Sequence, residues 1–243
     1  MQKQTKTVAP IALTFLIVSN LIASGALAQN DNKTNTVSFS SADAKTKADL
    51  EQEKKAAEWV DVLHLNDAAK EQRVKTAIAA HLKAVRDWHN EHSFTVVPAG
   101  INPATGNRLS DMDRTIIAHS AKPASIHDNL MSVLKRELTA EQVETILDKY
   151  TIGKVAFTMN GYKAIVPDLK PEEEAKILEY LKQAREQAID FKNMNEISAI
   201  FEIYKTKCEQ YLNSNGRNWR QLYKAYTDAV KAKKATEKQK QNK

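Results

Sequence analysis

Apolar residues recur at spacings of three and four along most of this chain, and that period limits the fold more than any other feature. The clearest stripe consists of Val74, Ile78, Leu82 and Val85. Such a spacing places the apolar side chains on one face of an α-helix and the polar ones on the other. Because helices of this kind bury their apolar faces against each other, the pattern predicts an all-α, multi-helix bundle.

Helix starts are marked by side chains that can accept hydrogen bonds from the free N–H groups of the first turn. Three capping boxes are predicted, and they consist of Ser110 with Asp113, Ser125 with Asp128, and Thr139 with Gln142. Pro171 and the three glutamates after it indicate another start, because proline fits the first helical position and acids favour the positive end of the helix dipole. Together with the apolar stripes, these signals predict about seven helices.

Residues 154–166 have a different composition from the rest of the chain. Two runs of apolar and aromatic residues flank Asn160 and Gly161, and this dipeptide is typical of a two-residue β-hairpin turn. A hairpin is one interpretation. The other is an extended strand, a turn at Gly161 and one helical turn. Both predict a short extended or hairpin insertion in an otherwise helical protein.

The amino terminus has the three parts of a secretory signal. Two lysines precede an apolar run, and Ala26-Leu27-Ala28 gives the small-x-small pattern of a cleavage site. Residues 1–28 are therefore predicted to be a signal peptide that is cleaved after Ala28, and residues 29–41 a flexible leader. We expect a periplasmic or secreted protein, and no membrane anchor after cleavage.

Residues 42–230 are predicted to form one helical domain, and residues 231–243 a disordered basic tail. The whole chain has a formal net charge of +6, and its last thirteen residues carry six lysines against one glutamate, a net charge of +5. Such a tail attracts polyanions, but export argues against a nucleic acid as the physiological partner, and a solvated tail without any partner explains the same composition. Cys208 is the single cysteine and falls on an apolar stripe, which predicts a packed thiol and no internal disulfide.

Motifs of known chemistry are missing from the sequence. There is no Gly-x-Ser-x-Gly nucleophile motif, no cysteine-rich metal pattern and no phosphate-binding glycine loop. His89 and His92 stand three residues apart and are weak candidates for metal ligands, but a polar helix end explains them better. Asp111 and Asp113 resemble the start of a calcium loop without its later ligands, and a helix cap explains them better. No metal and no cofactor are predicted.

Sugar binding needs an aromatic ring for the apolar face of a pyranose, with amide, carboxylate or guanidinium groups for its hydroxyls. One region of the sequence supplies these residue types: Tyr150, Asn160, Tyr162, Arg185, Glu186 and Asp190. The two tyrosines could stack on the sugar, and the others could orient its hydroxyls or a carboxylate. Core packing, turn formation and ion pairing explain the same residues without a ligand.

An ordered series of short motifs between Leu138 and Gly216 resembles the family of domain of unknown function 3826. The motifs are Leu138-Thr139-Ala140-Glu141-Gln142-Val143, Tyr150-Thr151 with Gly153, Gly161-Tyr162, Val166-Pro167-Asp168-Leu169, residues 184–190, and Tyr204-Lys205 with Tyr211-Leu212. The resemblance departs at residues 94–124 and in the lysine tail. It implies a mostly helical exported protein of polysaccharide-degrading gram-negative bacteria with a role in sugar binding, and it supplies no catalytic residue.

The sequence therefore predicts an exported, noncatalytic carbohydrate-binding or accessory protein in polysaccharide utilisation. Its partner would be a carbohydrate, with acidic polysaccharides included. A protein-interaction or scaffold module of the cell envelope is the alternative, because amphipathic helices are abundant and catalytic motifs are missing. A polysaccharide lyase or hydrolase without a recognisable motif is the third interpretation.

Overall fold

The computed structural model of the protein describes residues 41–103 and 105–241, and these residues are mostly helical. They form nine α-helices, with one 3-10 turn at Phe94–Val96 between the second and third, whereas the sequence predicts about seven. The helices are α1 (Ser41–Asp61), α2 (Ala68–Glu91), α3 (Asp111–His119), α4 (Ala124–Glu137), α5 (Ala140–Thr151), α6 (Lys154–Ile165), α7 (Pro171–Ala188), α8 (Met194–Ser214) and α9 (Trp219–Gln241). The all-α prediction is confirmed over this part of the chain.

The predicted signal peptide and all but the last residue of the predicted leader lie outside the described residues. Among the helices that the structure does describe, none is long and apolar enough to cross a membrane.

Most of the predicted helix starts are confirmed. Both hydrogen bonds of the capping box form at Ser110 and again at Thr139, and α7 begins at Pro171 as predicted. The capping box at Ser125 is wrong, because α4 begins one residue earlier, at Ala124, and no side chain caps it. Ser125 therefore already lies inside the first turn.

The predicted extended or hairpin insertion near 154–166 is also wrong, because these residues form the continuous helix α6. Val155, Met159 and Tyr162 are buried and follow each other at spacings of four and three, so the helical period fits the segment as well as the strand period does. Gly161 has a helical backbone and forms no turn. The chain reverses instead at Ile152 and Gly153, which both have left-handed backbones with φ of 52° and 65°.

The core consists of two clusters of buried side chains. The first is formed mainly by α1, α2, α4 and α5 and includes Tyr150. The second is formed mainly by α6, α7 and α8 and includes Tyr162. Cys208 is a free thiol buried in the second cluster, as predicted, and burial raises its pKa to about 11.

Helix α9 packs against α6 and α8 near its start, where the ring of Trp219 contacts that of Tyr162 at a centroid distance of 5.2 Å. The helix continues to Gln241, and residues 231–240 are all exposed. The prediction of disorder from residue 231 is therefore corrected for residues 231–241. Alanine, lysine, glutamate and glutamine dominate this segment, and all of them have high helix propensity.

The proline- and glycine-rich segment before α3 is held by one arginine. The guanidinium of Arg114 donates hydrogen bonds from Nε and Nη2 to the carbonyl oxygen of Val97, at 2.9 and 2.7 Å. Its Cζ also lies 5.2 Å from the ring centre of Phe94. These contacts fix the loop against α3, the helix that ends in His119.

Candidate functional site

A surface groove of about 500 Å³ lies where α1, α5 and the turn after α5 meet. It is lined by Trp59, Thr145, Asp148, Lys149, Ile152 and Gly153, and we call it the Trp59 groove. Its size falls within the usual range for small-ligand sites. The groove combines an aromatic ring with a hydroxyl, a carboxylate and an ammonium group.

The floor of the groove depends on how α5 ends. The left-handed backbones of Ile152 and Gly153 turn the chain away, and the N–H of Gly153 donates a hydrogen bond to the carbonyl oxygen of Asp148 at 2.9 Å. A β-branched residue rarely adopts this conformation, and the Ile152 side chain gains no burial from it, because 72% of it remains exposed. An exposed apolar side chain in a strained conformation therefore forms one edge of the groove.

Arg185 on α7 fixes the carboxylate of the groove from behind. Its guanidinium is buried and pairs with Asp148 at 2.6 Å and with Glu144 at 2.7 Å. Burial opposes the charge of Arg185, but the hydrogen bonds to both carboxylates outweigh burial and raise its pKa. Asp148 is thus oriented by a buried cation through Oδ1, and within residues 41–103 and 105–241 its other oxygen has no ion-pair partner.

A chain of aromatic contacts leads inward from the groove. The ring of Trp59 packs edge-on against Tyr150 at a centroid distance of 4.7 Å, and Tyr150 packs against His81 at 5.3 Å. The Tyr150 hydroxyl is buried without a hydrogen-bond partner among the described residues, and burial raises its pKa well above the usual value. The groove thus rests on a wall of packed aromatic rings.

Beyond that wall, Asp190 lies at the centre of a polar cluster between α2, α4 and the turn after α7. Its carboxylate contacts Nε2 of His81 at 2.8 Å, Nδ1 of His127 at 3.1 Å and Nζ of Lys122 at 3.2 Å. Burial opposes its ionisation, but the hydrogen bonds from His127 and His81, with the charge of Lys122, together lower the pKa of Asp190 far below its usual value. Glu186, the other acid of the cluster, is less buried. We call this set of residues the Asp190 cluster.

Two histidines of this region hold opposite protonation states. His127 lies between two carboxylates, with Nε2 also 3.3 Å from Glu186, and the hydrogen bonds to Asp190 and Glu186 raise its pKa to about 9. Both of its ring nitrogens must donate, so it is an imidazolium at neutral pH. Burial, together with the proximity of His89, lowers the pKa of His119 to about 4, so His119 is neutral.

The weak metal candidates do not converge on one ion. Nε2 of His89 lies 3.2 Å from Nδ1 of His119 and 3.1 Å from the carbonyl oxygen of Asp190. The His92 ring instead stacks on Trp88 at 4.4 Å. Over residues 41–103 and 105–241, no group of three or more His, Cys, Asp or Glu side chains has the geometry to hold a metal ion.

The six predicted sugar-contact residues lie in four places. Glu186 and Asp190 meet in the Asp190 cluster, while Tyr150 and Arg185 support the Trp59 groove from inside. Asn160 is exposed on α6, and Tyr162 is buried in the second core cluster, where its hydroxyl donates to the carbonyl oxygen of Lys205 at 3.1 Å. The two tyrosines therefore do not form one stacking platform, because they belong to different core clusters.

Sequence reasoning missed the residues that line the groove and two of the histidines. Trp59 falls on the apolar stripe of α1 and looks like an ordinary core residue, although it is only half-buried. His81 and His127 are 46 positions apart in the sequence, so only the packing of α2 against α4 brings them to one carboxylate. The polar character of His81 on an otherwise apolar helix face is the one signal that could have indicated the cluster.

A comparison with known protein families matches residues 50–232 to the family described as Protein of unknown function (DUF3826). The match covers most of the chain and all of the residues of the groove and the cluster. No curated protein matches the chain.

Proposed function

The chain belongs to the family described as Protein of unknown function (DUF3826), and from the Trp59 groove and the signal-like amino-terminal sequence we propose that it is an exported, noncatalytic carbohydrate-binding protein. The Trp59 groove is the site. The single observation that carries the proposal is a half-buried indole ring beside a carboxylate, an ammonium and a hydroxyl in one groove.

The chemistry of a sugar fits this combination. The C–H groups on one face of a pyranose pack on an indole ring, and its hydroxyls need both donors and acceptors. Lys149 and Thr145 can donate, and the other carboxylate oxygen of Asp148 can accept. Because Arg185 already holds Asp148 in place, a ligand that binds there meets little cost of ordering the carboxylate.

The test is a calorimetric titration of the protein with a panel of neutral and acidic polysaccharides. The proposal expects saturable binding of at least one of them, and Trp59→Ala should weaken it at least tenfold because the stacking surface is lost. Trp219→Ala removes a half-buried tryptophan on α9 and is the matched control. Equal loss in both variants, or no saturable binding across the panel, contradicts the proposal.

A second pair of variants tests the carboxylate. Asp148→Asn keeps the shape of the side chain and removes the charge that Arg185 fixes, so it should weaken binding. Asp168 also pairs with an arginine, Arg217 at 2.9 Å, but it lies outside the groove. Asp168→Asn should therefore leave binding unchanged.

The proposal includes export, which follows from the signal-like amino terminus. The protein purified from its own host should have an intact mass that corresponds to a chain beginning at Gln29. A mass that includes residues 1–28 would contradict export by cleavage.

Acid–base catalysis at the Asp190 cluster is a second candidate function. The observation in its favour is that a protonated His127 and a neutral His119 lie in the same polar region, since paired groups with opposite protonation states are typical of a general acid and a general base. A lyase or hydrolase acting on polysaccharide would release unsaturated or reducing ends, and His119→Ala would abolish the release. No release from any polysaccharide of the panel would exclude this second function.

A further inference from the structure

The exposed face of helix α6 begins beside the Trp59 groove. Gly153 lines the groove and directly precedes α6, and its carbonyl oxygen accepts a hydrogen bond from the N–H of Phe157 at 3.1 Å. Positions 153, 157 and 160 are four and three residues apart, so they share one face of the helix. Phe157 therefore lies one helical turn, about 6 Å along the axis, beyond the groove.

The aromatic ring on this face is not part of the core. Phe157 is 50% exposed, and the buried residues of α6 lie on the other side of the helix. Asn160, which lies about one turn further, is also exposed. At the edge of the groove, the exposed side chain of Ile152 adds apolar surface close to the start of the same helix. An apolar and partly polar surface thus continues from the groove along α6.

The glycine at position 161 leaves the Phe157 ring accessible. Gly161 has a helical backbone, where glycine is less favourable than alanine. Apart from its chain neighbours and the adjacent backbone of α6, no atom of the described residues lies within 4 Å of an added Cβ, so packing does not require a glycine here. A side chain at 161 would point back toward the residue four positions earlier, which is Phe157. The missing side chain therefore keeps one side of the ring uncovered.

The surroundings of Phe157 favour a narrow occupant. Within α6, which the structure describes in full, the other exposed residues are Ala156, Asn160, Lys163 and Ala164. A protein interface of ordinary size needs a broader apolar surface than one ring among small and polar side chains. A sugar chain needs only a ring for its C–H groups and a nearby amide for its hydroxyls, and Phe157 and Asn160 supply both.

This surface defines the class of ligand more closely than the groove does alone. Resting on the function proposed for the groove, we propose that Phe157 is a second stacking site and that the ligand is an extended chain of several pyranose units. The chain runs from the Trp59 groove along the exposed face of α6. A disaccharide fills the groove, and only a longer fragment reaches Phe157.

The test is a calorimetric titration of the full-length protein with the disaccharide and the hexasaccharide of glucan, xylan, mannan and galacturonan. In a series that binds, wild type should bind the hexasaccharide more tightly than the disaccharide. Phe157→Ala should weaken binding of the hexasaccharide about fivefold, as expected for the loss of one aromatic contact, and leave that of the disaccharide unchanged. Phe157→Tyr keeps the ring and should bind both fragments like wild type.

Two controls separate access to the ring from general effects of mutation. Gly161→Gln adds a side chain that can lie over the Phe157 ring and should weaken binding of the hexasaccharide, whereas Gly161→Ala should leave it nearly unchanged. Tyr223→Ala removes another partly exposed aromatic ring, 41% exposed on α9, and should bind both fragments like wild type. Circular dichroism of every variant checks that it remains folded.

The outcomes for the groove and for Phe157 are distinguishable. Unchanged hexasaccharide binding in Phe157→Ala, or equal weakening in Tyr223→Ala, would overturn the inference. Equal affinity of wild type for the two fragment lengths would overturn it as well. In each of these cases a loss of binding in Trp59→Ala would leave the proposed function standing. If none of the fragments binds to wild type, the proposed function fails and the inference fails with it.

Discussion

The protonated His127 between Asp190 and Glu186 makes a sharp prediction about stability and pH. Its ordinary pKa of 6.5 applies to the unfolded chain, and the two carboxylates raise the folded-state pKa to about 9. Because the folded pKa is the higher one, the stabilisation is complete below pH 6.5 and is lost as the pH rises through 9. The difference corresponds to about 3 kcal/mol, and the partial exposure of the imidazole, 21%, reduces this to about 2 kcal/mol.

The assay is urea unfolding of the wild type and of His127→Gln at pH 5.5 and at pH 9.5. Glutamine can replace one of the two hydrogen bonds but carries no charge. The free energy of unfolding of wild type minus that of the variant should therefore shrink by about 2 kcal/mol between the two pH values. Other titrating groups cancel in this difference.

A second variant checks the sign of the argument. The folded-state pKa of His119, about 4, lies below that of the unfolded chain, so wild type loses stability as the pH falls from 6.5 toward 4. His119→Gln should not lose stability in this way, because it lacks the titrating imidazole. Above pH 7, the difference between its free energy of unfolding and that of wild type should not change with pH. The assignment of His127 as an imidazolium would be refuted if the free energy of unfolding of wild type minus that of His127→Gln were constant with pH. It would also be refuted if that difference grew toward pH 9.5.

Three further predictions concern stability and are measured by thermal or urea unfolding. Gly161→Ala should stabilise the protein by about 0.5–1 kcal/mol, because Gly161 lies inside helix α6 and, apart from its chain neighbours and the adjacent backbone of α6, no atom of the described residues lies within 4 Å of an added Cβ; in a hairpin turn the same change would destabilise. Ile152→Gly should stabilise the protein by about 1 kcal/mol, because glycine adopts the left-handed backbone of this position without strain. A loss of stability would show that the backbone of Ile152 is not strained. Glu173→Gln should destabilise by about 2 kcal/mol, because the buried carboxylate accepts from Nε of Arg217 at 2.9 Å and from its Nη2 at 2.7 Å; an unchanged midpoint would show that the pair contributes nothing.

Local signals in the sequence predict much of the fold. The capping boxes at Ser110 and Thr139 depend on residues three positions apart, so they can be recognised without any tertiary information. Residues 154–166 illustrate the limit of such signals. Asn160 and Gly161 favour a turn locally, but burying Val155, Met159 and Tyr162 against α7 and α8 stabilises the helix and outweighs that preference.

The candidate site was harder to predict because long-range packing assembles it. Glu186 and Asp190 lie close together in the sequence, in the last turn of α7 and just after it, but their partner His127 comes from α4, about sixty positions earlier. Trp59 reaches the groove only because α1 packs against the end of α5. The apolar stripe of a helix does not indicate which of its residues will lie at the edge of the core and remain half-exposed.

The central claim is that a carbohydrate binds in the Trp59 groove, and the three tryptophans of the chain allow a direct test. Trp59 lines the groove, Trp88 lies against His92 and His119 beside the Asp190 cluster, and Trp219 lies at the start of α9. Each indole N–H gives its own signal in a ¹⁵N-resolved NMR spectrum. The spectrum is recorded while a fragment of the polysaccharide that binds the protein is added stepwise. The account predicts a saturable shift of the Trp59 signal, with those of Trp88 and Trp219 unchanged. A saturable shift of Trp88 or Trp219 without Trp59, or no shift of Trp59 at saturation, would contradict it.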